Sequence, residues 1–269
     1  MSETTQLDTA HAAMDADLSD DAARLRFYQT IADTELFVQL KTEAHGDHID
    51  PELVSVESEE GAPPIEYILA FDREDRLADF AEGAAPYAAL PGRIIAQMLT
   101  GSEIGLALNL GAPSSILIPN AALDWLSETL GGAPVESSAM IEEIAPPAGL
   151  PEQLILGLEA KLTSAAGLCD HAWIVKTKFD NGASGWMIGF VGAYDHAEHA
   201  LARATQEALI FSGTDLDSMD VAFFDPKDPM VARLAKVGLR YDIPQPEEDP
   251  VPEPRKAPGS DPKKPPILH

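Results

Sequence analysis

The residue types that could do chemistry are most concentrated in GSEIGLALNLGAPSSILIP, residues 101–119. Asn109, Gly111, Ser114 and Ser115 lie within seven positions there, and such residues occur in phosphate-binding loops and around serine nucleophiles. The stretch lacks the Lys-Ser/Thr ending of a P-loop and the third glycine of a dinucleotide-binding turn. No G-x-S-x-G surrounds either serine, so the sequence does not support a nucleophile turn.

Two interpretations of this stretch follow. Apolar runs flank NLGAPS, and Gly, Pro and Ser supply turn geometry, so the sequence favours a structural connection between two strands. The alternative is a ligand-binding site, and its candidate residues are Arg93, Asn109, Gly111, Ser114 and Ser115. Arg93 enters this set because bases are rare in the first 150 residues, which contain six of them.

Two histidine pairs have a spacing that can place metal ligands together. His196 and His199 lie three residues apart in a predicted helix, but the apolar stripe of that helix directs both towards water. His45 and His48 lie in an acidic loop with two aspartates, and surface loops often have this composition. The sequence therefore predicts no metal site at either pair.

Cys169 is the single cysteine of the chain, and it precedes Asp170 and His171. One cysteine cannot build the disulfide framework of a small secreted protein. Adjacency in the sequence does not place a nucleophile within hydrogen-bonding reach of a base. We therefore predict no catalytic residue and no cofactor.

The charge balance limits the partners. The chain has 45 acidic and 18 basic residues, a formal net charge of -27, and the acids are concentrated in the first half. Such a surface repels nucleic acids and anionic lipids, so the expected partner is another protein. No apolar run reaches the roughly 18 residues that span a bilayer, and the N-terminus lacks a signal peptide, so a cytoplasmic location is expected.

Composition shifts divide the chain into segments. Proline-rich turns near 144–153 separate two halves, and from residue 244 prolines recur without apolar periodicity, which predicts a disordered or polyproline-like tail. The predicted segments are an acidic lead (1–18), a first domain (19–131), a linker or edge strand (132–150), a second domain (151–243) and the tail (244–269).

Apolar periodicity predicts mixed α/β structure in both halves. In the first half we predict strands at 35–40, 64–72, 104–110 and 114–119, and helices at 73–81, 91–100 and 120–131. In the second half the predicted order is strand, helix, hairpin, helix and strand, followed by a last helix at 228–238. This order is that of a split β-α-β sandwich, as in ferredoxin-like domains.

Several segments together resemble a bacterial family. RLRFYQTIADTELFVQL, FDREDRLADF, YAALPGRIIAQML and GLALNLGAPSSILIPNAALDWL, in that order, resemble the SseB N-terminal domain, whose family is named for enhanced serine sensitivity. LPEQLILGLEAKL and VAFFDPKDPMVARLAKVGLRYDIP resemble the SseB C-terminal domain. Where the family often has Asn-Pro-Gly, this chain has Asn109-Leu110-Gly111. The resemblance implies no catalytic residue and no cofactor.

Two classes of function remain open. The first is a non-catalytic cytoplasmic interaction or regulatory protein, which the family name links to amino-acid metabolism. The second is a small-molecule-binding protein or enzyme with a cleft between the domains and residues 109–115 at its rim. A pocket centred on Arg93 would favour the second class.

Overall fold

A computed structural model describes residues 4–44, 48–57, 63–132, 141–180, 182–216 and 218–245. The described residues form two mixed sheets, each with its own apolar clusters, which confirms the predicted α/β class. Most of the predicted tail, from residue 246 onward, lies outside these residues. Pro244 and Gln245 are described, and both hydrogen-bond to the body, at Gly167 and at Cys169 respectively.

The first half of the chain builds five helices around a six-stranded sheet, within the described residues. The helices are α1 (Gln6–Ala16), α2 (Asp21–Asp33), α3 (Glu74–Phe80), α4 (Gly92–Leu99) and α5 (Asn120–Gly131). The strands are β1 (Glu35–Gln39), β2 (Leu53–Val56), β3 (Ile65–Phe71), β4 (Tyr87–Pro91), β5 (Gly105–Leu108) and β6 (Ile116–Ile118).

The first sheet runs in the order β4-β1-β3-β5-β6, and β2 pairs with the other end of β3. Strands β3 and β5 are parallel, so the carboxyl ends of both lie at the same sheet edge. One face of the sheet packs on α1, α2, α4 and α5, which contribute Leu7, Phe27, Ile95 and Leu126 to the main core. The other face packs on α3 through Leu77.

The described residues of the second half of the chain build a five-stranded sheet. Its strands are β7 (Ile141–Ala145), β8 (His171–Phe179), β9 (Ser184–Val191), β10 (Asp220–Phe224) and β11 (Leu239–Asp242). Its helices are α6 (Glu152–Thr163), α7 (Glu198–Phe211) and α8 (Pro229–Val237), with a turn of 3-10 helix at Asp195–Ala197. Helices α6 and α7 pack on one face and α8 packs on the other.

The strand order corrects the ferredoxin-like prediction. A split β-α-β unit has an antiparallel strand between its two parallel strands. Here β9 and β10 are parallel and directly paired across the α7 crossover, in the order β10-β9-β8-β11. Strand β7 is antiparallel to β8 although α6 connects them. The order of the elements from β7 to α8 was predicted correctly, but β11 was not predicted and the pairing is different.

Helix α1 lies within residues 1–18, the segment that its composition marks as an acidic lead. Helix α1 begins at a capping box in which Thr5 and Asp8 each accept a hydrogen bond from the other's backbone N–H. Leu7 is 1% exposed and belongs to the main core. The N-terminal segment therefore packs against the sheet's helices.

Candidate functional site

The loop between β5 and β6 contains most of the residues proposed for a ligand site. Asn109 (φ 52°) and Gly111 (φ 84°) both adopt left-handed backbone conformations that turn the chain after β5. The Ala112 N–H donates to the Asn109 carbonyl, and the Ser115 N–H donates to the Ala112 carbonyl. The segment is therefore a compact connection of successive turns.

Two side chains of this loop are fully buried in a polar network beside α1 and α3. The Ser114 hydroxyl donates to Asp8 Oδ1 (2.6 Å) and accepts from Asn109 Nδ2 (2.8 Å). Arg76 donates to both Asp8 and Asp72 through one nitrogen, at 2.9 Å each. The Asp72 backbone N–H donates to Asn109 Oδ1, which closes the network.

The electrostatics of this network are those of an internal ion cluster. Burial alone would raise the pKa of Asp8, but hydrogen bonds from Arg76, Ser114 and the Thr5 backbone outweigh it and hold that pKa well below its usual range. The side chains of Asp8, Asp72 and Arg76 are each at most 7% exposed. The cluster therefore joins α1, α3 and the β5–β6 loop, and its polar groups bond to one another.

The candidate ligand residues do not converge. Asn109 and Ser114 meet in the buried network, whereas Gly111 and Ser115 are exposed. Arg93 lies elsewhere, at the start of α4, and bonds across to the second half of the chain. Sequence reasoning missed Asp8, Asp72 and Arg76. The (i, i+4) spacing of Asp72 and Arg76 was the available signal.

Arg93 belongs to a second charged cluster, between the two halves of the chain. It donates to Asp33 at the end of α2 and to both oxygens of Glu207 on α7, at 3.1 and 3.3 Å. Lys161 on α6 donates to Asp33 and Glu207 at 2.7 Å each. Arg203 donates to Glu207 Oε1 (3.1 Å). Glu207, 5% exposed, therefore interacts with three cations.

The pKa of Glu207 reflects this position. Burial would raise it, but hydrogen bonds and charges from Arg93 and Lys161 lower it to about 2. The carboxylate therefore stays ionised throughout the physiological range. The cluster links α2 and α4 of the first half to α6 and α7 of the second.

A cleft of about 860 Å³ lies between α1 and α2 on one side and α6 on the other. Its lining contains one acid, Asp33, and two bases, Arg26 and Lys161. None of residues 109–115 lines it, and neither does Arg93, so the cleft is not at the place that the sequence suggested. Arg26 is exposed and forms no ion pair with any described residue.

The α3-packed face of the first sheet exposes large apolar side chains. On this face the ring centroid of Phe80 lies 5.4 Å from that of Phe71. The ring centroid of Tyr87 lies 5.4 Å from that of Phe37. Ile65 lies on the same face, because it alternates along β3 with Tyr67 and Leu69. Leu117 also lies on this face, because it pairs with Ala107 of β5. We call this surface the open face; its four exposed side chains, each 38–41% exposed, are Ile65, Phe80, Tyr87 and Leu117.

The histidines and the cysteine lie apart from these features. His196 and His199 are exposed on the surface. His48 is also exposed, whereas His45 lies outside the described residues. Within the described part of the chain no group of three His, Cys, Asp or Glu side chains is arranged to hold a metal ion. Burial and then the charge of Asp170 raise the pKa of Cys169 to about 11, which keeps this thiol protonated at neutral pH.

The fold and these clusters define an α/β protein of two mixed sheets. Residues 7–125 match the family model of the SseB protein N-terminal domain, which supports the predicted resemblance to the SseB family over this part of the chain. Comparisons with curated proteins and with solved structures give no match. The matched region spans α1 to the middle of α5 and includes Asp8, Asp72, Arg76, Asn109 and Ser114. Helices in the described ranges are all too short or too polar to cross a membrane.

Proposed function

We propose that this protein acts without catalysis, by binding another protein through the open face. The observation that carries the proposal is the exposure of four large apolar side chains on one face of the SseB-type sheet. Exposed large apolar side chains on one face of a protein are a feature of interaction sites. The family name makes amino-acid metabolism the first setting in which to look for the partner.

The charged groups support the same proposal. Asp8, Asp72 and Arg76 hydrogen-bond to one another or to neighbouring polar groups in the loop and in α1. Glu207 and Lys161 bond within the cluster between the halves. An active site requires titratable groups that converge on space for a substrate. These buried charges bond to protein groups instead, which supports a structural role for them.

The test is capture of partners from a cell lysate with matched variants. Ile65→Thr with Leu117→Thr removes apolar surface from the open face and keeps side chains that favour strands. Leu239→Thr is the control, since Leu239 is 43% exposed on the second sheet. We expect one captured protein to be lost with the double variant and kept with the control. Equal capture of that protein by the parent, the double variant and the control would contradict the proposal, provided that thermal unfolding shows each of the three to be folded.

A second candidate function is binding of a small anionic molecule in the cleft. The cleft favours it because its lining has more bases than acids in a chain of net charge -27, and Arg26 forms no ion pair with described residues. Thermal unfolding with a panel of small carboxylates and phosphates tests this. A stabilising compound should lose its effect in Arg26→Ala and keep it in Arg24→Ala, which removes an exposed arginine paired with Asp21. No stabilisation by any compound would contradict it.

A further inference from the structure

The lysine and the arginines in the part of the chain that forms the first sheet are already in ion pairs with acids of the same chain. Residues 35–118 contain fifteen acidic and four basic residues. Each base forms an ion pair inside the protein: Lys41 with Asp50, Arg73 with Asp75, Arg76 with Asp8 and Asp72, and Arg93 with Asp33 and Glu207. The described residues of this part of the surface therefore offer a partner no unpaired lysine or arginine.

Unpaired carboxylates lie at the end of the first sheet that holds Ile65, although alternation along β3 places Glu66 on the opposite face from Ile65. Glu66 follows Ile65 in β3, Glu57 follows the end of β2 that pairs with Ile65, and Glu103 precedes β5. All three are exposed, and none forms an ion pair with a described residue. Exposed like charges around an apolar surface repel an acidic partner and attract a basic one.

We infer that the open face binds a protein segment whose apolar side chains are flanked by lysine or arginine. The apolar residues of the segment cover Ile65 and Leu117, and its cations lie near the acidic end of the sheet beside Ile65, which contains Glu57, Glu66 and Glu103. This inference rests on the proposed function and adds the chemistry of the partner. Because the carboxylates are exposed, their attraction is screened by salt and contributes to the rate of association and to specificity.

Selection from a random 12-residue peptide library, displayed on phage and panned against the full-length protein, tests the inference. We expect enrichment of peptides in which Lys or Arg flanks apolar residues. Their binding should weaken about tenfold in the open-face variant Ile65→Thr with Leu117→Thr, and severalfold when NaCl rises from about 50 to about 300 mM.

A charge-matched pair of variants separates the local carboxylates from the overall charge. One triple variant combines Glu57→Gln, Glu66→Gln and Glu103→Gln, and it should bind the selected peptides about tenfold more weakly than the parent. Asp180→Asn, Asp195→Asn and Asp215→Asn remove the same charge from exposed positions in the second half and should have little effect. Equal weakening by both triple variants would overturn the inference, because net charge alone would then explain binding.

The outcomes also separate this inference from the proposed function. Enriched peptides without basic residues that still lose binding in the open-face variant would overturn the inference and leave the proposed function standing. Peptides whose binding the open-face variant does not change would overturn the inference, and unchanged capture of lysate partners by that variant would contradict the proposed function itself.

Discussion

At the residue scale, two neighbouring serines have opposite environments. Ser114 is fully buried and bonds to Asp8 and Asn109, whereas Ser115 is exposed. Ser114→Ala leaves buried partners unsatisfied and should lower the free energy of unfolding by about 1–3 kcal/mol. Ser115→Ala should change it by less than about 0.5 kcal/mol. Urea unfolding of both variants measures this, and equal effects would contradict the network.

Gly111 tests backbone strain in the same loop. Its φ of 84° disfavours any residue with a Cβ, although the space around that Cβ is open. Gly111→Ala should therefore lower the free energy of unfolding by about 1 kcal/mol. The matched control is Gly131→Ala at the end of α5, where the space is also open and φ is not left-handed. Thermal unfolding should show that the control is neutral or stabilising; a similar loss in both would exclude strain as the cause.

At the scale of elements, the cluster around Glu207 fastens α7 to α4 and α6. Glu207→Gln removes the buried anion that Arg93 and Lys161 share, and it should lower the free energy of unfolding by about 3 kcal/mol at pH 7. Glu159→Gln on the exposed side of α6 is the control, with an expected change below about 0.5 kcal/mol. Chemical denaturation at pH 7 measures both.

The same cluster predicts a pH dependence. The pKa of Glu207 falls from an ordinary 4.5 to about 2 in the folded protein, so its stabilisation is complete above about pH 4.5 and is lost as pH falls towards 2. The difference in stability between the parent and Glu207→Gln should therefore shrink across this range. The pKa of Asp8 is also lowered, but Asp8 contributes equally to the pH dependence of the parent and of the variant, so it does not affect the difference between them. A constant difference from pH 7 to pH 2.5 would contradict the charge assignment.

At the scale of the whole molecule, an aromatic side chain of the second half packs into the core of the first half. Phe211 is the last residue of α7 in the second half, yet it is buried in the core of the first and packs edge-on against Trp125. The cleft and the Glu207 cluster lie on the same side of the first half. The halves should therefore unfold together.

Tryptophan fluorescence tests this coupling. Trp125 reports on the first half, and Trp173 and Trp186 on the second, so Trp→Phe variants isolate each signal. In the parent background both signals should have the same urea midpoint. Phe211→Ala, which removes a buried aromatic ring, should cost about 3–5 kcal/mol and separate the two transitions. Separate transitions already present in the parent background would contradict coupled unfolding.

The sequence by itself determined the elements whose signal is local. Alternation and turn residues placed β8 at residues 171–179 and the β9 strand after it, and the periodic apolar stripe placed α6 and α7. The α/β class and the resemblance to the SseB N-terminal domain also came from the order of such segments. These features depend on neighbours a few residues apart, which is why periodicity indicates them.

Only the tertiary structure decided which elements pair and which charges meet. The direct β9–β10 pairing, the helical N-terminal segment and the open face all depend on contacts between distant segments. Asp8 and Arg76 are 68 residues apart, and Arg93 and Glu207 are 114 apart. A buried charge is stable only beside its partner, and local periodicity carries no information about a partner so distant. The chain therefore indicated where Asn109 and Ser114 lie in the β5–β6 loop, and the fold decided that they bond to Asp8, Asp72 and Arg76.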